Sequence, residues 1–168
     1  KAAKIFSHLG VKNIQLGSSK EAELAKLIDN TYRDFWFSYS NALAVLADNL
    51  KIDALKVIDA VNFEYSRTNV ALPSPGVGGP CLSKDPYILL ESLDGSLPAV
   101  EDLIMSARNM NNFVLQNFVD SLVAIIGDSE IEIHVLGIAF KGYPETDDLR
   151  DSTSLSAIAQ LKSMGQQF

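Results

Sequence analysis

Apolar residues recur at helical spacing from Lys20 to about Asp48. Leu24, Leu27, Ile28, Phe35, Tyr39, Leu43 and Leu46 fall into this pattern, and the stretch contains neither proline nor glycine. Ser18 followed by Glu21 has the form of a capping box and marks the helix start. At 1.5 Å per residue, a helix of about 28 residues reaches roughly 40 Å. Tyr32, Trp36 and Phe37 widen its apolar surface. Such a helix must be covered on more than one side, as a domain's central spine or by a second subunit.

The same periodicity predicts a short helix over Asp53–Asn62 with Leu55, Ile58 and Val61 inward. Pro73–Pro80 then holds three prolines and three glycines, which makes it an irregular loop. Asp85-Pro86 opens a helix running to about Leu93. Pro98 opens a longer one across Leu97–Ile126, which Gly127 closes. Val11–Gly17 is strand-like. From Glu130 the period changes, and Ile131–Gly137 alternates and then turns wholly apolar, as a buried parallel strand does. A polar loop (Lys141–Asp151) and a helix from about Ser152 to Met164, with Gly165 as C′, complete the start of a βαβ unit. The expected fold is mainly α: a central all-helical domain with a long spine helix, flanked by partial Rossmann-like α/β elements. The expected divisions are residues 1–17, 18–128 and 129–168.

Composition narrows the function. The 168 residues carry 14 Lys+Arg against 21 Asp+Glu, a net charge of −7 that disfavours a broad nucleic-acid-binding surface. One cysteine excludes an intramolecular disulfide framework and, with only two histidines, argues against a zinc cage, so no metal is expected. The strongly apolar runs fall far short of the roughly 20 residues that span a bilayer. Lys1–Gly10 lacks the apolar core of a signal peptide. A cytoplasmic protein without membrane contact is expected. The chain has no initiator Met and reads as an excised fragment.

Candidate chemistry concentrates in Pro75–Tyr87, PGVGGPCLSKDPY. Gly76, Gly78 and Gly79 let backbone approach a ligand and aim N–H groups at oxygens. Cys81 follows, just before a helix start and close to Lys84, both of which favour thiolate. Asp85 could hold or activate water. The plainer alternatives are an inert core cysteine and an aspartate that only caps a helix.

Pro75–Tyr87 with Ile88-Leu89-Leu90 resembles the active-site cysteine loop of the UDP-glucose/GDP-mannose dehydrogenase family. Glu21–Asp34 is similar to the start of that family's central helical domain. Leu136–Lys141 followed by Thr146–Ser152 resembles the start of its nucleotide-sugar-binding domain. The resemblance implies oxidation of the C6 alcohol of a nucleotide sugar to a carboxylate in two NAD-dependent steps, through a thiohemiacetal and a thioester on Cys81. It implies that Lys26 and Asn30, one turn apart on one helical face, stabilise oxyanions and position water, and that Asp85 serves thioester hydrolysis. Gly76, Val77, Gly78, Gly79, Phe140 and Lys141 would then meet substrate, and Lys84 and Arg150 the cofactor. Arg67 would reach the substrate site of a neighbouring subunit. A UDP-sugar substrate and a homodimer through the helical domain follow from the same resemblance. The form of the cysteine loop and Asp147–Arg150 lean towards UDP-N-acetylhexosamines over UDP-glucose.

Ser83 and Pro80 depart from residues common in relatives. The chain has no GxGxxG after a strand, so the NAD-binding Rossmann domain and its catalytic threonine and glutamate are absent from it, and the chain alone is expected to be inactive. Two other readings stay open on sequence: a helical homodimerisation module with a silent cysteine, and the helical domain of another β-hydroxyacid-type dehydrogenase.

Overall fold

In the computed structural model, which describes residues 2–127 and 131–165, six helices follow one another: α1 (Ala2–His8), α2 (Ser19–Leu50), α3 (Ala54–Asn62), α4 (Asp85–Glu91), α5 (Pro98–Ile126) and α6 (Thr153–Ser163). The start of α2 is fixed by its sequence. Ser18 Oγ accepts from the Glu21 N–H, and the Glu21 carboxylate accepts from the Ser18 N–H. Asp53 caps α3, Ser152 caps α6, and prolines occupy the first turns of α4 and α5.

The 32-residue α2 is the spine. It packs most extensively on α5; α4 lies against both, α3 against α2 and α6 against α5. A small apolar core joins α5 to α6, with Val119, Ala157 and Leu161 buried against Leu115, Leu122 and Val123. Residues 69–74 are strapped along α2: Trp36 Nε1 donates to the Asn69 carbonyl at 2.7 Å, and the Ser40 hydroxyl donates to the Ala71 carbonyl.

Three expectations are corrected. Among the described residues there is no strand, so the flanking α/β elements do not form. Residues 11–16 and 131–137 are unladdered, and Ile14 and Leu136 are exposed. A strand requires a neighbour to take its N–H and C=O groups, and these two runs pair neither with each other nor with a third. The first eight residues contain a short helix where none was assigned. In α3 only Ile58 turns inward, Leu55 and Val61 being exposed, because this nine-residue helix packs on α2 alone. The boundary placed near Asp128 and the period change at Glu130 lie outside the described residues.

The spine also buries an unexpected face. Its buried residues are Asn30, Asp34, Ser38, Ser40, Asn41 and Ala47, while Ile28, Tyr32, Phe35, Tyr39 and Leu46 are exposed. Polar groups tolerate this because most of them are hydrogen-bonded. Among the described residues no helix is long and apolar enough to cross a membrane.

Candidate active site

Cys81 is part-exposed and unpaired, in the turn that leads into α4. Its carbonyl accepts from the Lys84 and Asp85 N–H groups at 3.2 and 2.9 Å, which closes the turn and places Asp85 as the first residue of α4. Lys84, not Asp85, is the N-cap, and its side chain makes no capping bond. The capping role considered for the Asp85 side chain is therefore not the one it takes.

The Asp85 carboxylate is buried and held from two directions. Asn30 Nδ2 of α2 donates to Oδ2, and Lys84 Nζ donates to Oδ1. Arg33 in turn donates to Asn30 Oδ1, which fixes the orientation of the amide. Burial pushes the Asp85 carboxyl up, but the hydrogen bonds from Lys84 and Asn30, with the charges of Lys84 and Lys26, outweigh it and leave its pKa below the usual value. The hydrogen bond to Asp85 raises Lys84, against the opposing effect of burial, and the charges of Asp85 and Cys81 add to the rise. Lys26 itself is exposed, one turn before Asn30 on the same face.

The glycine-rich segment packs against the chain's own C-terminal region. The Gly79 N–H donates to the Asp151 carbonyl at 3.0 Å, and the Ser83 hydroxyl lies 2.9 Å from an Asp151 carboxylate oxygen. A Cβ on Gly79, where φ is +94°, would lie 2.5 Å from the Phe140 ring, and one on Gly78 would lie 2.3 Å from the Asp151 carbonyl. These glycines are thus required by close packing of protein on protein. Val77 is half-buried beside them. Lys141 lies over Phe140, its Nζ 5.3 Å from the ring centroid. It also lines an open cleft of about 870 Å³ formed by residues 137–149, to which the cysteine loop contributes no wall. Arg150 forks onto Asp148, and that hydrogen bond, followed by the charge of Asp148, raises it; the charge of Cys81 contributes to the same rise.

Asn30, Lys84 and Asp85 therefore meet by direct contact. Lys26 lies within electrostatic reach of Asp85, and Lys84 and Arg150 within reach of Cys81. Arg67 stands apart, exposed and engaged with Tyr65: its Nε donates to the phenol oxygen at 2.9 Å and its guanidinium lies 5.2 Å from the ring centroid.

Sequence reasoning missed Asp34, Asn41, Arg108 and Asn111, all buried. Arg108 Nη1 pairs with Asp34 Oδ1, Asn111 Nδ2 donates to the same oxygen at 2.8 Å, and Asn41 Nδ2 donates to Asn111 Oδ1 at 3.1 Å. A legible signal existed. Lys26, Asn30, Asp34 and Ser38 follow one another at intervals of four, drawing a polar stripe along one face of the helix.

The helical bundle thus sets a part-exposed thiol one turn before a carboxylate that Asn30 and Lys84 hold in place. The chain belongs to the UDP-glucose/GDP-mannose dehydrogenase family, residues 20–113 matching that family's central domain. It is 30% identical over 164 residues to the UDP-N-acetyl-D-mannosamine dehydrogenase of Methanocaldococcus jannaschii, covering 98% of this chain and 36% of the relative. The structure of UDP-D-ManNAc dehydrogenase from Pyrococcus horikoshii superimposes with a TM-score of 0.78 at 34% identity, over 96% of this chain and 38% of that one. A UDP-glucose dehydrogenase from Pyrobaculum islandicum gives a TM-score of 0.78 at 25% identity, over 98% and 38%. The chain spans little more than a third of the length of these relatives.

Proposed function

We propose that this chain is the nucleophile-bearing core of an NAD-dependent UDP-sugar 6-dehydrogenase, with UDP-N-acetyl-D-mannosamine as the preferred substrate and UDP-glucose as the alternative. The observation that carries this reading is the double hold on Asp85 by Asn30 and Lys84, one helical turn beyond Cys81. Names of the relatives supply the substrate class, and UDP-N-acetyl-D-mannosamine recurs among them. A nucleotide-sugar substrate also favours a cytoplasmic location.

In this reading the Cys81 thiolate attacks the C6 aldehyde, and Lys26 and Asn30 steady the oxyanion that forms. Oxidation of the thiohemiacetal yields a thioester, which stores the acyl group in a form that water releases. Asp85 stays ionised at neutral pH and can accept a proton from that water. Val77, Phe140 and Lys141 border the sugar nucleotide, and Gly76, Gly78 and Gly79, packed on protein, hold the loop that carries Val77 and Cys81 in place. NAD, when bound, accepts the hydrides released in the two oxidations. Lys84 and Arg150 fit a role beside it, since both cations are exposed at the loop and lie within electrostatic reach of Cys81. The remaining cofactor contacts belong to a separate Rossmann domain.

The exposed apolar face of α2 is the surface a second copy would cover, and Arg67, projecting from the loop after α3, would reach that copy's substrate site. The test is NADH formation by the natural protein that contains this chain, assayed with a panel of UDP- and GDP-sugars. Activity on UDP-N-acetylmannosamine that Cys81→Ser abolishes is expected. No turnover with any of them, or full activity in Cys81→Ser, overturns the reading.

A further inference from the structure

We propose that Arg108 is a positioning residue for Cys81: its guanidinium, anchored on Asp34, holds the Leu82 carbonyl and so sets where the thiol stands relative to Asn30 and Asp85. Arg108 Nη1 carries two hydrogens and faces two acceptors, Asp34 Oδ1 and the Leu82 carbonyl, the latter at 3.2 Å. The carbonyl it holds belongs to the residue directly after Cys81. Asn30 and Asp34 are one turn apart on α2. A single rigid helix therefore anchors both ends of the Cys81–Asp85 turn, through Asn30 to Asp85 and through Asp34 and Arg108 to Leu82.

Energetics favour a positioning role over a stabilising one. A buried ion pair contributes little net stability compared with apolar residues of the same volume. Here Asp34 Oδ2 and Arg108 Nε are buried without a hydrogen-bond partner among the described residues. What the pair does provide is a fixed donor aimed at Leu82. The loop needs one, because its three prolines offer no N–H groups and its glycines resist no rotation. The other end of the loop is tied into the same network. Asn111 holds Asp34, Asn41 holds Asn111, and Asn41 Oδ1 accepts from the Ser74 N–H at 2.8 Å.

The kinetic half of the test rests on the dehydrogenase reading; the chemical half does not. Arg108→Lys keeps the charge beside Asp34, but its single nitrogen on a shorter side chain cannot hold Asp34, Leu82 and Asn112 together, as Arg108 does through Nη1 and Nη2. Gln116→Ala, which breaks an exposed hydrogen bond on the same helix, is the control. The readouts are the iodoacetamide alkylation rate of Cys81 in the 168-residue chain, and kcat and KM for UDP-N-acetylmannosamine in the natural protein. Displacement of a reacting group by about 1 Å costs on the order of 100-fold. Folded Arg108→Lys should therefore lose about tenfold or more in kcat with KM within about twofold, and its alkylation rate should change by about threefold or more. Gln116→Ala should match wild type in both. Unchanged alkylation in folded Arg108→Lys overturns the proposal, whatever happens to kcat. If Arg108→Lys does not fold, Asp34→Leu combined with Arg108→Met removes the donor to Leu82 without stranding a buried charge, and unchanged alkylation there overturns it equally. A wild-type protein without dehydrogenase activity, whose alkylation still depends on Arg108, would sink the enzymatic reading and leave this one standing.

Discussion

Asn30 donates its amide hydrogen to the carboxylate of Asp85, fifty-five positions later in the chain, and both groups are buried. This contact joins the spine helix to the first residue of α4 and so ties the cysteine turn to the longest helix of the bundle. Hydrogen bonds to charged groups contribute about 1.5–3 kcal/mol. Asn30→Ala should lower the unfolding free energy of the chain by about that much, read by urea denaturation. A loss below about 0.5 kcal/mol would show that the contact does not persist in solution.

The Asp34–Arg108 pair gives a different signature. Arg108→Met alone strands a buried carboxylate and should destabilise by about 3–5 kcal/mol, whereas Asp34→Leu combined with Arg108→Met should recover most of that loss. A double-mutant cycle followed by chemical denaturation measures the difference. Additive losses would mean that the two charges do not interact.

Glycines at the cysteine loop should be far less replaceable than others of the same conformation. Gly79→Ala places a methyl against the Phe140 ring, whereas Gly95, also at positive φ (+70°), has open space around its Cβ position. Overpacking costs about 1–3 kcal/mol beyond the backbone strain common to both sites. Gly79→Ala should thus exceed Gly95→Ala by about that margin in urea unfolding.

Asp148 reports on the C-terminal segment. Hydrogen bonds from Arg150 hold its carboxyl down to about 2, from an ordinary value of 3.8. A depressed acid contributes stability above its unfolded pKa and loses it as pH falls through the folded value, here between 3.8 and about 2. Arg150→Ala should return the carboxyl towards 3.8, visible in an NMR titration of the side-chain carbonyl carbon. An unmoved titration would show that the fork onto Asp148 is not formed.

The exposed face of α2 predicts self-association. Tyr32 is 64% exposed and Tyr39 54%, on a helix whose opposite face is engaged in the bundle. Sedimentation at micromolar concentration should show a dimer that Tyr32→Glu with Tyr39→Glu dissociates. Monomer alone in the unmodified chain would leave this face without its proposed partner.

The sequence by itself determined where α2 to α6 begin and where α5 ends. Ser18 with Glu21, Asp53, Pro86, Pro98, Gly127 and Ser152 act through bonds or steric limits within a few residues, and each lies at the helix end expected of it. It also marked the cysteine loop, because glycine, proline and a lone thiol are conspicuous in composition. Tertiary structure decided which way the spine faces. Period alone shows that Ile28, Phe35 and Tyr39 share a surface, but which side a bundle covers depends on partners that are distant in sequence, and here Arg108 and Asn111 draw the polar stripe inward. The strand-like runs at 11–17 and 131–137 failed for the same reason: β structure is completed by a neighbouring strand, whereas a helix satisfies its own backbone.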